Sequence, residues 1–179
     1  RAEALLAPGS LWRWRPADAS IGSAWRQPHY DDSAWQIGPA ALGSNYNFLA
    51  TTLRAPSRYA WTTLWFRAAV APVPALYTSA CVRAIFDDGC ALYLNGTEVL
   101  RVNLASNEAP HTLAQTFYGV RGATWHCAPL ALHHLNSATC VFAAEVHQAA
   151  GAAGFASLLF DAQCEVQPVI PESYGCIML

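Results

Sequence analysis

The 179-residue sequence predicts an all-β chain folded as a β-sandwich. Three observations carry this. Two turn signals, Asp87-Asp88-Gly89 and Asn95-Gly96, lie six residues apart around a short apolar run. Short apolar or alternating runs recur along the chain, with Pro-, Gly-, Asn- and Ser-rich stretches between them. No long segment carries the 3.6-residue period of an amphipathic helix.

Taken in order, Ser10–Arg15 alternates apolar and polar residues and reads as a first strand. In Ala24–Ile37, Asp31-Asp32-Ser33 suits the cap of one helical turn, with Trp35 facing inward. Gly38–Arg58 reads as a long loop. Trp61–Val70 is a strand ended by Pro72 and Pro74. Val82–Phe86, Cys90–Leu94 and Glu98–Val102 read as three antiparallel strands joined by tight turns, with Gly89 taking positive φ. Asn103–Val120 is irregular, with one strand near Thr116–Val120. A strand at Thr124–Leu130 precedes a helical turn at Leu130–Leu135. Thr139–His147 is a central strand, Gln148–Gly154 a small-residue loop and Ala156–Val166 a last strand. The domain thus covers 1–166, with an extended tail over 167–179.

Composition narrows the function classes. Charged residues are 12% of the chain, about half the usual share. A net charge of −2 and a pI near 6.3 give no electrostatic basis for binding nucleic acid. All ten basic residues are Arg. A GC-rich genome accounts for this, and a surface without Lys also suits packing into an assembly. No apolar run approaches the ~18 residues of a membrane span. Arg1 is not an initiator methionine, which reads as a processed form or a fragment.

Six cysteines (Cys81, Cys90, Cys127, Cys140, Cys164 and Cys176) lack C-x-x-C spacing, which argues against a zinc knuckle. Their even number in a β-rich chain favours disulfides and an oxidising, extracellular or surface location. The alternative is buried free thiols. Asn95-Gly96-Thr97 is an N-glycosylation sequon on an expected hairpin tip, although Asn-Gly also serves turn geometry there.

Three segments resemble the galactose-binding-domain-like jelly roll: Trp25…Tyr30-Asp31-Asp32-Ser33-Ala34-Trp35, then Leu64-Trp65-Phe66-Arg67, then Asp87-Asp88-Gly89…Asn95-Gly96 with Val141–Gln148 downstream. The resemblance covers roughly Ser10 to Val166 and implies a jelly-roll β-sandwich of two antiparallel sheets. In that family Asn usually stands where this chain has Cys140, so a disulfide is expected to replace a loop contact there. The family consists mostly of non-catalytic accessory modules of secreted phosphoesterases and glycosidases, many binding carbohydrate at loops on one end. It therefore implies no catalysis, a glycan or protein-surface partner, and often a structural calcium. Packing into a homo- or hetero-oligomeric particle assembly is the rival expectation.

The candidate residues follow from this. Asp87 and Asp88 are the calcium candidates, short of the six to eight oxygens that ion wants unless Asn45, Asn47, Asn107 or carbonyls contribute. Turn chemistry alone also explains the pair. The Asp-Asp-Gly turn is similar to the calcium turn of flocculin-type lectins. Trp61, Tyr59 and Tyr46, with Arg58 beside them, lie in or near the long loop and form the expected carbohydrate-binding face. Trp25, Trp35, Trp65 and Trp125 are expected in the core. Glu145 and His147 share a strand face, and Glu145 is expected to pair with Arg67 or Arg83. No nucleophile motif accompanies them.

Overall fold

The computed structural model describes residues 2–56, 61–70, 77–106, 112–117, 124–135, 139–149 and 157–169. Twelve strands are present among them: β1 (Glu3–Leu6), β2 (Leu11–Pro16), β3 (Gln36–Pro39), β4 (Leu42–Ser44), β5 (Thr51–Thr52), β6 (Thr63–Val70), β7 (Tyr77–Asp87), β8 (Gly89–Leu94), β9 (Thr97–Val102), β10 (Trp125–Leu130), β11 (Cys140–His147) and β12 (Leu158–Pro168). Helical structure in these residues is limited to single 3-10 turns at Ala19–Ile21, Ala24–Arg26 and Leu132–Leu135.

The strands form two six-stranded sheets, as the all-β reading expects. The first runs β10-β7-β12-β4-β5, with β1 also paired to β12. The second runs β3-β2-β6-β11-β8-β9. All pairings are antiparallel except β4 with β5.

The two sheets meet through side chains set by the period of two. From the second sheet come Trp12, Trp14, Leu64, Phe66, Leu92, Phe142 and Val146. Phe160 of β12 stacks on Phe66 at 4.4 Å and takes the edge of Trp12 at 4.9 Å, closing the sandwich.

The second sheet also has a packed outer face. Trp65, Ala91, Tyr93 and Ala143 face away from the first sheet, yet are buried beneath Trp25 and Trp35. Trp25 stacks on Trp65 at 4.6 Å. Strands buried on both faces read as nearly continuous apolar runs. That is why Val141–Val146 and Cys90–Leu94 show little polar alternation.

Arg67, 2% exposed on β6, pins the covering segment. Its Nε donates to Asp32 Oδ2 at 2.7 Å, and its Nη atoms donate to the carbonyls of Trp25, Gln27 and Tyr30. Trp35 is buried as expected, but the expected helical turn at Asp31–Ser33 is a turn in which Asp31 Oδ1 accepts from Ser33 N at 2.9 Å. The carbonyls of Asp32 and Ser33 are met by Arg13 and by Trp35 N rather than by a helical ladder.

The Asp87-Gly89 segment departs from the sequence expectation. β7 belongs to the first sheet and β8 to the second. The segment is therefore a corner between sheets, not a hairpin turn, and Gly89 does not take positive φ. Gly89 serves close packing instead. A Cβ there would stand 2.8 Å from Leu104 Cδ2, 2.9 Å from Ala114 Cβ and 2.9 Å from the Asn103 carbonyl. The β8–β9 hairpin forms as expected, with Asn95 at φ 50° and Gly96 at φ 85°.

Candidate functional site

The corner at Asp87 and Asp88 gathers groups from five separate segments. Both carboxyls are buried. Tyr46 Oη donates to Asp87 Oδ2 at 2.9 Å, and Ser157 Oγ donates to the same oxygen. Asp87 Oδ1 is buried without a hydrogen-bond partner. Asp88 Oδ2 accepts from Ala149 N at 2.8 Å, and Asp88 N donates to the His147 carbonyl. Asn103, at φ 57°, donates through Nδ2 to the carbonyls of Asp88 and Thr116.

Burial and the neighbouring Asp88 carboxyl push the Asp87 carboxyl up to about 7. Burial and the adjacent Asp87 push the Tyr46 phenol up as well, so Tyr46 stays a donor. The corner can therefore hold a proton near neutral pH. The acceptor left over for a cation would be Asp87 Oδ1. Among the described residues no group of three or more His, Cys, Asp or Glu is placed to hold a metal ion. A calcium ion here would take Asp87 and Asp88 and draw its other oxygens from carbonyls or water.

A second polar cluster lies on the outer face of β11, and it corrects the expected pairing of Glu145. Arg26 Nη2 reaches both Glu145 oxygens at 3.1 and 3.2 Å, and Tyr93 Oη donates to Oε1. His147 Nε2 lies 3.6 Å from Oε2, on the face that the period of two predicts. Arg67 is taken by Asp32 and Arg83 by Glu165, so neither meets Glu145. Burial works to raise the Glu145 carboxyl, but the nearby His147 ring, the Arg26 charge and the bond from Tyr93 hold it below the usual range. The cluster sits beneath the Trp25 segment and acts as a clamp that fastens Ala24–Arg26 to β11.

The expected carbohydrate face is only partly described. Tyr59 and Arg58 lie outside the described residues. Trp61 is half-buried and meets Trp14 edge-on at 5.7 Å. Tyr46 contacts Phe48 at 5.3 Å and turns its hydroxyl to Asp87, so it joins the acidic corner. Asn47 is exposed, and Asn107 lies outside the described residues. Trp125 is 38% exposed on the outer side of edge strand β10, with Arg83 over its ring. It is not in the core, because its strand position points away from the second sheet.

Asn95 is half-buried. Its Oδ1 accepts from Val141 N at 2.8 Å, and its Nδ2, the atom a glycan would occupy, donates to the His134 carbonyl at 3.4 Å. The five described cysteines, Cys81, Cys90, Cys127, Cys140 and Cys164, are free thiols, contrary to the disulfide expectation, and Cys176 lies outside the described residues. The register explains this. Cys81 faces Pro129 and Glu165, Cys90 faces Val102 and Val146, Cys127 faces Arg83, Cys140 faces Val70, and Cys164 faces Val82 and Leu6. Instead of joining a disulfide, Cys140 sits buried beside the Asn95 side chain.

Sequence reasoning missed Ser157, Asn103 and Arg26. Only positive φ at Asn103 has a sequence signal, since Asn tolerates that region. Among the described residues no helix is long and apolar enough to cross a membrane.

The fold defines a β-sandwich domain, and solved structures share it. No family model matches the sequence, and no curated protein matches it. The chain is similar to a Ruminococcus gnavus beta-glucuronidase at 12% identity and a TM-score of 0.55, over 94% of this chain and 29% of that one. A Bacteroides uniformis beta-glucuronidase matches at 14% identity and 0.52, over 94% and 18%. An uncultured Clostridium sp. beta-glucuronidase matches at 14% and 0.53, over 94% and 29%. The chain therefore spans less than a third of the length of each of these structures.

Proposed function

We propose that this chain is a non-catalytic binding module of the galactose-binding-like type. It serves a larger carbohydrate-processing protein and contacts glycan, or a protein partner, through residues at the loop end that holds Tyr46, Asp87 and Asp88. One observation carries the reading. A single sandwich accounts for 94% of this chain but only 18–29% of the glycosidase chains it resembles. In such a chain the greater part is left for catalysis. The sealed Glu145–Arg26 clamp supports the same division, because it offers no open acid–base pair. Calcium at Asp87 and Asp88 belongs to this proposal, as the charge that would satisfy Asp87 Oδ1 and keep the carboxyl ionised. So does a role at a cell surface or outside the cell.

Calorimetric titration with a panel of oligosaccharides tests the reading. Saturable binding that weakens at least tenfold in Trp61→Ala, or after calcium is chelated, is the expected result. The chain alone should not hydrolyse aryl glucuronides above background. Turnover by the chain would overturn the non-catalytic assignment. Ordered oligomers with no glycan response would replace it with a structural subunit.

A further inference from the structure

On the outer face of the first sheet, β7, β10 and β12 leave a groove of about 350 Å³. Its lining includes Ser79, Cys81, Cys127, Pro129, Glu165 and Gln167, the outward residues of those three strands. Cys81 stands between Pro129 of β10 and Glu165 of β12, and Cys127 stands opposite Arg83. The two thiols are thus diagonal neighbours across one antiparallel pair. Both are exposed, whereas Cys90, Cys140 and Cys164 are buried.

The diagonal spacing decides what they can do. Diagonal positions in an antiparallel pair lie about 7–8 Å apart at Cα. A disulfide needs roughly 4.4–6.8 Å. Direct closure therefore requires backbone movement in the body of a sheet. A bridging atom fits better, since two metal–thiolate bonds of about 2.3 Å each, set in line, span about 4.6 Å. A tetrahedral zinc ion needs four ligands. No group of three His, Cys, Asp or Glu is available among the described residues. Two sulfurs without a third ligand match a soft monovalent ion with linear coordination.

We propose that Cys81 and Cys127 form a two-thiolate site for copper(I). Binding releases two protons to solvent and leaves the oxidation state of copper unchanged. The resulting complex carries one negative charge and lies beside the Arg83–Glu165 ion pair, with the Arg83 guanidinium opposite Cys127. Arg83 is fixed there by Gln163 at 2.7 Å, Glu165 at 3.0 Å and the Trp125 ring at 5.3 Å.

The test is anaerobic titration of the reduced chain with copper(I) against a chromogenic copper(I) chelator. One equivalent should be withdrawn per chain. Cys81→Ser and Cys127→Ser should each weaken uptake at least tenfold, while Cys176→Ser leaves it unchanged. Circular dichroism should be unaltered in both serine variants, because the side chains lie on the surface. X-ray absorption of the wild-type complex should show two sulfurs in one short shell, a readout that needs no variant. Uptake that survives either Cys81→Ser or Cys127→Ser overturns the proposal. So does a shell of nitrogen or oxygen. A Cys81–Cys127 linked peptide with a mass loss of two hydrogens, in chain purified without reductant, would assign the pair to a disulfide instead.

Discussion

Replacing Asp87 with Asn should flatten the pH dependence of stability between pH 5 and 7. The folded carboxyl sits at about 7 against a reference of 3.8, because burial and Asp88 disfavour its charge. The shift is about three units, or about 4 kcal/mol in full at 1.36 kcal/mol per unit. The folded state holds this proton more tightly than the unfolded chain does. The stabilisation is therefore complete below about pH 4 and is lost as pH rises through 7. Between pH 5 and 7 the Asp87 share of that loss is about 2 kcal/mol. Asp161, raised by burial to about 6, contributes in the same direction and should remain in Asp87→Asn. The double variant with Asp161→Asn should lose the slope that favours low pH and keep the opposite contribution of His134, whose imidazole is held below its usual range by burial and the neighbouring His133. Glu145, held below the usual range, acts with the opposite sign at pH values under its reference of 4.5, outside this window. Urea unfolding followed by tryptophan fluorescence, with chelator present and ionic strength fixed, measures the slope. Adding calcium at pH 7 should recover stability in the wild type and not in Asp87→Asn. An equal slope in wild type and Asp87→Asn would refute the assignment of the raised carboxyl to Asp87.

Three further outcomes follow from the packing. Arg67→Met should cost about 3–5 kcal/mol, because it leaves the carbonyls of Trp25, Gln27 and Tyr30 unpaired under a buried sheet, and thermal melting should fall by roughly 10 °C. Trp25→Ala should cost about 3–5 kcal/mol in chemical denaturation, since it empties the stack on Trp65. Asn95→Ala should cost about 1–2 kcal/mol by the same assay, through the lost bond from Val141 N, and glycan-shift electrophoresis of secreted wild-type chain should show no occupancy of Asn95.

Local chemistry was readable in the sequence, and long-range pairing was not. The Asn95-Gly96 hairpin follows from two residues and their own φ angles. The strands at Thr63–Val70, Cys140–His147 and Leu158–Pro168 follow from apolar runs bounded by breakers. β1, β3, β4 and β5 were missed because they are two to four residues long and exist only through their partners. The Asp87-Gly89 corner was misread because turns and sheet crossings draw on the same small polar residues. Only the packing of Gly89 against Leu104 and Ala114 separates the two. At the candidate site, Asp87 and Asp88 stood out as an adjacent pair. Their partner Ser157 lies 70 residues away, and no periodicity links it to them. Arg26 is 119 residues from Glu145, so the choice of Arg26 over Arg67 is a product of topology.

The tryptophan layer over the second sheet makes the molecule two-sided. That layer consumes the outer surface of β6, β8 and β11, whose residues are almost all buried. β7 and β10 keep an in-and-out alternation of burial, so the first sheet shows its outer side to solvent. Among the described residues, a neighbour docking broadside on the first sheet meets the groove of Cys81 and Cys127. Docking end-on, it meets the loops around Tyr46. The covering segment from Ala17 to Trp35 thus acts as a built-in lining: it closes the middle of one wall of the sandwich, over β6, β8 and β11, to an outside partner, while the outer side of β7 and β10 and the loops around Tyr46 stay uncovered by it.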